Sequence, residues 1–447
     1  MPDARSQPQA VTLRHLLCLI PLLLVLGFYF AYLYQHAINV PLADDIYDIL
    51  QPLEQASRAE NIKSALQSLY QQHTDHRTIA SRLVYGATYL TTGEVNFRTL
   101  NFLANLALPL LLLALYLMSS GTRHRLLVLL PAALFLLQLR AYGITFWAMA
   151  SFAYFYVFVY GFFCLIFLHD PDRRRFFGAL IVAMLASFTL ASGQTIWLLG
   201  LASLAQQAMV RRSLPRSYLL WWSLAAIITL LLWRVGQDAR ISPAILLENF
   251  FHAPGHYVLY TFTLLGSAVS ASSVGAAAAA GGLMLGILVV STMSRWREYD
   301  LRIELCCWFI VLSVATMVLG RGFTSVDYAL SSRYSFPSVL MLASIWMLLA
   351  SRLRLGRLSV LLPVIALALL YNAYSFRVYS LALQPYMERR VEDFNRGRYR
   401  AWPFPWKESN QVVEASIELD IYSPPLRPLP PASVAFGQSR RDDELAR

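Results

Sequence analysis

Apolar stretches of about 20 residues, the length that crosses roughly 30 Å of hydrocarbon as a helix, recur along almost the whole chain. Short polar segments rich in arginine separate them. This pattern predicts an all-α polytopic membrane protein with about eleven transmembrane helices. The spans fall near residues 15–36, 99–118, 126–140, 148–168, 177–192, 195–210, 218–235, 275–293, 303–320, 335–351 and 358–375. The first apolar run, Leu16 to Tyr34, ends in aromatic residues and is followed by no small-x-small site, so it reads as an uncleaved signal anchor. Gly282-x-x-x-Gly286 predicts close helix packing.

Composition agrees with the pattern. The chain of 447 residues is 57% hydrophobic and only 14% charged, with a mean hydropathy of +0.49, which excludes a soluble globular domain. Cys18, Cys164, Cys306 and Cys307 all lie inside apolar runs and read as small core residues, with no disulfide or cysteine metal site expected. The net charge of +11 invites a nucleic-acid partner, but its distribution argues against one. The arginines cluster between spans: Arg123 and Arg125; Arg173 to Arg175; Arg211, Arg212 and Arg216; Arg295, Arg297 and Arg302; Arg352, Arg354 and Arg357. Such clusters mark cytoplasmic loops and put the N-terminus in the cytoplasm. Ile245 to Ser273 is apolar, yet as a span it would carry Arg295 and Arg297 to the outside, so an outer interfacial or re-entrant segment is expected there.

The outer side then carries a first loop (38–98), the segment from Gly236 to Val274, and a tail (376–447) beyond the transmembrane module (1–375). In the first loop Ile62, Ala65, Leu66, Leu69 and Tyr70 recur at helical spacing, predicting a short amphipathic helix on the membrane surface. The tail contains Trp402 and Trp406, and its end, Pro424 to Arg447, has the composition of a disordered segment.

Ionisable groups at membrane depth cost about 2.5–3.5 kcal/mol each, so their placement is informative. They gather on the outer face: Asp44 and Asp45 after the first span; His73, Asp75, His76 and Arg77 after the surface helix; Arg140, Tyr142 and Trp147 at a span end. Gln194 lies in the Ser192–Thr195 break, and Arg321, Arg333 and Tyr334 flank a late loop. Asp44 and Asp45 suit either a helix cap or a general base. His73 and His76 with Asp75 suit a solvated helix end, an anion site or a zinc site. Arg321 and Arg333 suit lipid headgroups, pairing with Asp327, or a bidentate grip on phosphate.

The order of these elements resembles a known family. Pro41-Leu-Ala-Asp-Asp45 follows the first span; His73-Thr-Asp-His-Arg77 and Arg82 follow the surface helix; a second span starts after Gly93-Glu-Val-Asn96. Gly320-Arg321 and Ser331-Ser-Arg333-Tyr334 precede a late span. Across residues 15–375 the chain is similar to bacterial GT-C-type glycosyltransferases, near the serotype-converting glucosyltransferases. The resemblance implies a GT-C-like first outer loop and a bacterial inner-membrane enzyme facing the periplasm. Such an enzyme takes a polyprenyl-phosphate-linked sugar as donor and an extracytoplasmic glycan, lipid or protein as acceptor. It also implies Asp44 or Asp45 as base, with His76, Arg77, Arg321 and Arg333 on phosphate, and inversion at the anomeric carbon. No cofactor is implied for a monophosphate donor, and a divalent metal for a diphosphate donor. A flippase of lipid-linked sugars would show repeats or a charged path through the bilayer. An O-antigen polymerase or ligase would show one very large late loop. An export subunit needs no catalytic constellation.

Reporter fusions after Arg125, Arg175, Arg216, Arg302 and Arg357 are expected on the cytoplasmic side, and fusions near Thr74 and after Trp406 outside. An outside signal at Arg302 would mean that the Ile245–Ser273 stretch crosses the bilayer.

Overall fold

The computed structural model describes residues 13–72, 76–119, 124–211, 215–236, 243–296, 298, 300–353, 357–396 and 406–425. Among them the chain is helical, with one isolated parallel bridge between Val95 and Tyr422. Helix α1 (Leu13–His36) leads into a loop, a π turn (Ile46–Leu50), α2 (Gln51–Ser57), α3 (Ile62–Tyr70) and α4 (Ile79–Thr92). Then come α5 (Phe97–Asn105), α6 (Ala107–Met118), α7 (Arg125–Leu136), α8 (Tyr142–Thr145), α9 (Ala148–Leu168) and α10 (Arg173–Ser187). A 3-10 turn (Ala191–Gln194) precedes α11 (Thr195–Arg211) and α12 (Arg216–Arg234). Next are α13 (Pro243–His252), α14 (Pro254–Gly266), α15 (Val274–Arg295) and α16 (Arg302–Arg321). Two 3-10 turns (Val326–Leu330 and Ser332–Tyr334) lead to α17 (Phe336–Arg352), α18 (Leu358–Asn395) and α19 (Trp406–Glu418).

Local chemistry sets many helix starts. The side chains of Asn61, Asn96, Asp172 and Ser273 each accept the N–H three residues on, at 2.7–3.2 Å. Gly93, at φ 81°, ends α4 in the left-handed region that glycine adopts without strain. Among the described residues seven helices are long and apolar enough to cross a membrane: α1, the α5–α6 rod, α9, α12, α15, α16 and α18. The expected spans near 126–140, 177–192, 195–210 and 335–351 fold as α7, α10, α11 and α17, of 12, 15, 17 and 17 residues. α7 stops short because the chain turns at Leu137–Ala141, where buried Gln138 and Arg140 take up polar partners.

The two ends of the bundle differ. At one, Phe97 N–H reaches the Asn39 side chain (2.8 Å), Ala80 N–H reaches Phe188 O (3.1 Å), and Arg140 reaches the carbonyls of Ser267 (3.0 Å) and Leu330 (2.5 Å). At the other, Arg352 grips Glu304 at 2.6 Å, and Gln206 and Gln207 reach the backbone of Glu298 and Leu168. Arg216, Arg295, Arg302, Arg352 and Arg357 lie at this second end, and Asp44, Asp45, Arg140, Arg321 and Arg333 at the first.

α14 begins beside Gly322, after α16, and ends beside Ser338, in the first turn of α17, so both its ends meet the first end of the bundle. The close glycine contact lies between α14 and α15 but involves other residues than Gly282-x-x-x-Gly286. A Cβ on Gly266 would stand 1.8 Å from Ala277 O, and one on Gly281 would stand 2.0 Å from Phe262 O. Gly282 and Gly286 face open space. At 100° per residue, one position rotates a side chain off the contact.

The surface helix forms as expected, with Ile62 and Leu66 exposed, and α4 adds exposed Leu83 and Leu90. The tail departs from the boundary at residue 375. α18 runs unbroken through it for 38 residues. α19 packs on the π turn and α2, where Tyr47 and Ser409 share a hydrogen bond (3.1 Å). Val95 N–H bonds Ile421 O (2.7 Å), and Asn39 and Tyr422 interlock with the backbone of residues 423 and 39. Trp402 and residues 426–447 lie outside the described residues. Cys164, Cys306 and Cys307 are buried free thiols.

Gly281→Ala is expected to destabilise by about 1–3 kcal/mol, the usual effect of overpacking, and Gly282→Ala to be neutral. Thermal unfolding in detergent distinguishes them, and equal effects would contradict the α14–α15 crossing.

Candidate functional site

The first loop turns sharply after Val40. Ala43 sits at φ 45°, in the left-handed region that a residue with a Cβ rarely adopts. This turn points two adjacent carboxylates in different directions. Asp45 is wholly buried. Its Oδ2 accepts Leu42 N–H (2.8 Å) and its Oδ1 accepts Met149 N–H (2.8 Å), in the first turn of α9. The Arg390 guanidinium from α18 stands 3.7 Å away, and also donates to Phe146 O (2.6 Å) and to Val40 O. Asp45 therefore caps a helix, but α9 rather than its own, whose first turn receives no side-chain cap. Burial pushes its carboxyl up to about 7, against the opposing pull of Arg390 and the two N–H bonds.

Asp44 is half-buried. It lies within electrostatic reach of Arg321 at the end of α16 and of Tyr154 on α9. Arg321 and Arg333 flank the buried Tyr334 ring, their guanidinium carbons 5.4 and 4.9 Å from its centre, and Arg333 also lies 4.7 Å over Tyr328. Neither guanidinium makes a hydrogen bond or ion pair to a described residue, Asp327 included. Arg321 is exposed, with Tyr154, Tyr260, Tyr334 and Asp44 within electrostatic reach of its guanidinium. Gly143 lets α8 approach the Arg333 backbone, since a Cβ there would meet Ser332 Oγ at 2.6 Å and Arg333 N at 3.2 Å. Tyr386 of α18 lies within reach of both Asp45 and Arg333, joining the two halves of the site.

Other expected residues hold structure. Arg77 donates to Trp233 O and Tyr70 O (both 2.9 Å) and to Val235 O, and stacks on Tyr70 at 4.4 Å, so its donors serve the C-terminus of α12 rather than an open anion site. Arg82 pairs with buried Asp48 at 2.9 Å, and Thr78 bonds the same carboxylate. His76 is half-buried beside Arg77. His73 and Asp75 lie outside the described residues. Among the described residues no three His, Cys, Asp or Glu side chains converge. Gln194 ends the 3-10 turn with both side-chain amide atoms buried and unpartnered.

Sequence reasoning missed Asp48, Tyr154, Tyr386 and Arg390. Tyr154 is hidden in an aromatic run from Phe152 to Tyr156, and Arg390 lies in the tail, among surface charges of the same type. No protein-family model, curated protein or solved structure matches this chain.

Because its folded value is raised above the unfolded one of about 3.9, Asp45 keeps a proton in the folded chain that the unfolded chain releases between about pH 4 and pH 7. Its contribution is present at low pH and is lost as pH rises to about 7. The wild type should thus lose Tm relative to Asp45→Asn across that window. Asp45→Asn should also have a lower Tm at pH 5, since an amide offers one oxygen to two N–H donors. A Tm difference independent of pH would refute the raised value.

Proposed function

We propose that this chain is an integral membrane glycosyltransferase. It moves a sugar from a polyprenyl-phosphate donor to an extracytoplasmic glycan, lipid or protein acceptor, with inversion. The observation that carries the proposal is Asp44 within electrostatic reach of Arg321, which shares the Tyr334 ring with Arg333, two guanidiniums with no hydrogen-bond or ion-pair partner among the described residues. In this topology α7, α10, α11 and α17 complete eleven spans, and the site end faces the periplasmic side of a bacterial inner membrane, opposite the basic segments.

The chemistry follows from the groups present. Arg321 and Arg333 hold the donor phosphate through N–H donors that need no protein partner displaced. Asp44 accepts the proton of the acceptor hydroxyl as its oxygen forms a bond to the anomeric carbon. The bond from that carbon to the phosphate oxygen breaks on the opposite face, and its electron pair leaves with the phosphate. The two guanidiniums stabilise the charge that develops there. They supply what a monophosphate leaving group requires, and the proposal assigns no residue to a metal. Asp45 and Arg390 hold the loop that presents Asp44.

The test is transfer by purified protein from a synthetic polyprenyl-phosphate sugar, read by mass spectrometry with envelope extract as acceptor. Asp44→Asn should lower the rate by about 10²–10⁴ with Tm unchanged. Arg321→Gln and Arg333→Gln should each weaken donor use by roughly tenfold to a hundredfold, the effect of a lost charge-assisted bond. Near wild-type transfer by both Asp44→Asn and the double arginine variant would defeat the mechanism.

A further inference from the structure

A buried amide without partners is expensive to keep. Each unpaired group forfeits the hydrogen bond that water would give it, and native folds hold few of them. Gln194 has both ends of its amide in that state. It is not a loose side chain on a loose loop. The backbone of Gly193 is pressed so tightly on the end of α10 that a Cβ would stand 1.9 Å from Ala186 O. The turn is further fixed by Thr195 Oγ1 donating to Ser192 O (2.8 Å), and by Trp197 Nε1 donating to Ser187 Oγ (2.9 Å).

The position of the turn is set by topology. α10 folds back along α9 from the turn at residues 169–172, so its C-terminal end comes level with the N-terminal turns of α9. The 191–194 turn packs against both α9 and α16, the helices that bring Tyr154 and Arg321 to the site. Trp147, at the start of α9 and two residues from the N–H that Asp45 accepts, also keeps its indole N–H buried and unpartnered. Unpaired donors and an unpaired acceptor thus occur on two elements at the end of the bundle that carries the unpaired arginines.

We infer that Gln194 reads a vicinal pair of hydroxyl groups on the hexose of the donor. The inference rests on the glycosyltransferase proposal for the reaction, and adds which group recognises the sugar. An amide matches a vicinal diol because its oxygen accepts from one hydroxyl while its NH₂ donates to the next. A phosphate would use only the donors and would leave the oxygen facing negative charge. A bare prenyl chain would satisfy neither.

The experiment measures binding, independently of turnover, to the full-length protein in detergent. The probes are a short-chain prenyl phosphate and the same lipid carrying a hexose. Wild type should bind the hexose-bearing lipid about tenfold more tightly, the worth of one or two neutral hydrogen bonds. Gln194→Leu should lose that preference, keep wild-type affinity for the bare prenyl phosphate, and melt at or above the wild-type Tm, because it removes unpaired buried atoms at similar volume. A preference retained in Gln194→Leu, or absent from wild type, overturns the assignment while leaving transfer by Asp44 and the arginines to its own test. A lower Tm for Gln194→Leu would show that the amide bonds protein and also overturns it. Failure of wild type to bind either lipid removes this assignment and the donor proposal together.

Discussion

Asp45 is a carboxylate placed where water cannot reach it, held by two backbone N–H groups and one guanidinium. Removing a charge from water costs several kcal/mol unless partners replace the hydration shell. Here the partners come from three places: its own turn, the start of α9, and α18 at a sequence separation of 345 residues (390 minus 45). The positive end of the α9 dipole, the first-turn N–H of Met149 and Arg390 offset only part of that cost, so the group keeps its proton up to about pH 7. The rest of the site hangs on this knot. The left-handed Ala43 is held by the bonds on either side of it, and that turn sends Asp44 toward Arg321 while Asp45 goes inward. Adjacent carboxylates thereby acquire different roles from their environments.

The arginines divide in a similar way. Arg77, Arg140 and Arg390 each donate to backbone carbonyls left over at helix ends and turns, and Arg82 joins a buried aspartate and two more carbonyls. These are structural uses of a planar five-donor group, and they explain how so many cations sit at one end of an apolar bundle. Arg321 and Arg333 differ, because their neighbours are ring faces, which attract a cation but accept no strong hydrogen bond. A guanidinium held on tyrosine faces keeps its orientation and its N–H donors at once. That is the preorganisation an anionic transition state rewards.

Much of this was legible in the chain. The long apolar helix at 148–168 and the amphipathic helix at 62–70 followed from hydropathy and from where polar residues interrupt it. What was not legible depended on three-dimensional partners. Nothing in the spacing of Asp44 and Asp45 says which one turns inward; the answer lies in Met149 N–H and Arg390, neither adjacent in sequence. Arg77 looked like an anion ligand because its sequence neighbours are polar, yet carbonyls of α12 claim its donors. Gly282 was one residue off the true contact, since the pattern of small residues around Gly281 does not state which face meets a partner. The tail was opaque because α19 is amphipathic and polar overall, and only the Tyr47–Ser409 and Val95–Ile421 bonds reveal its seat.

That seat bears on how the site comes into being. The first loop is closed by Val95 and Asn39 bonding residues 421–423, and by α19 lying on the π turn that follows Asp45. Contacts so distant in sequence close long loops, and the entropic cost of that closure is met only by the packing it brings. The loop bearing Asp44 thus has little reason to hold its strained turn in a partly folded chain. Arg390 cannot reach Asp45 until α18 has packed along α7. The turn that bears Asp44 is thus held by contacts from the whole bundle and from a tail far from it in sequence, which ties the integrity of the site to both.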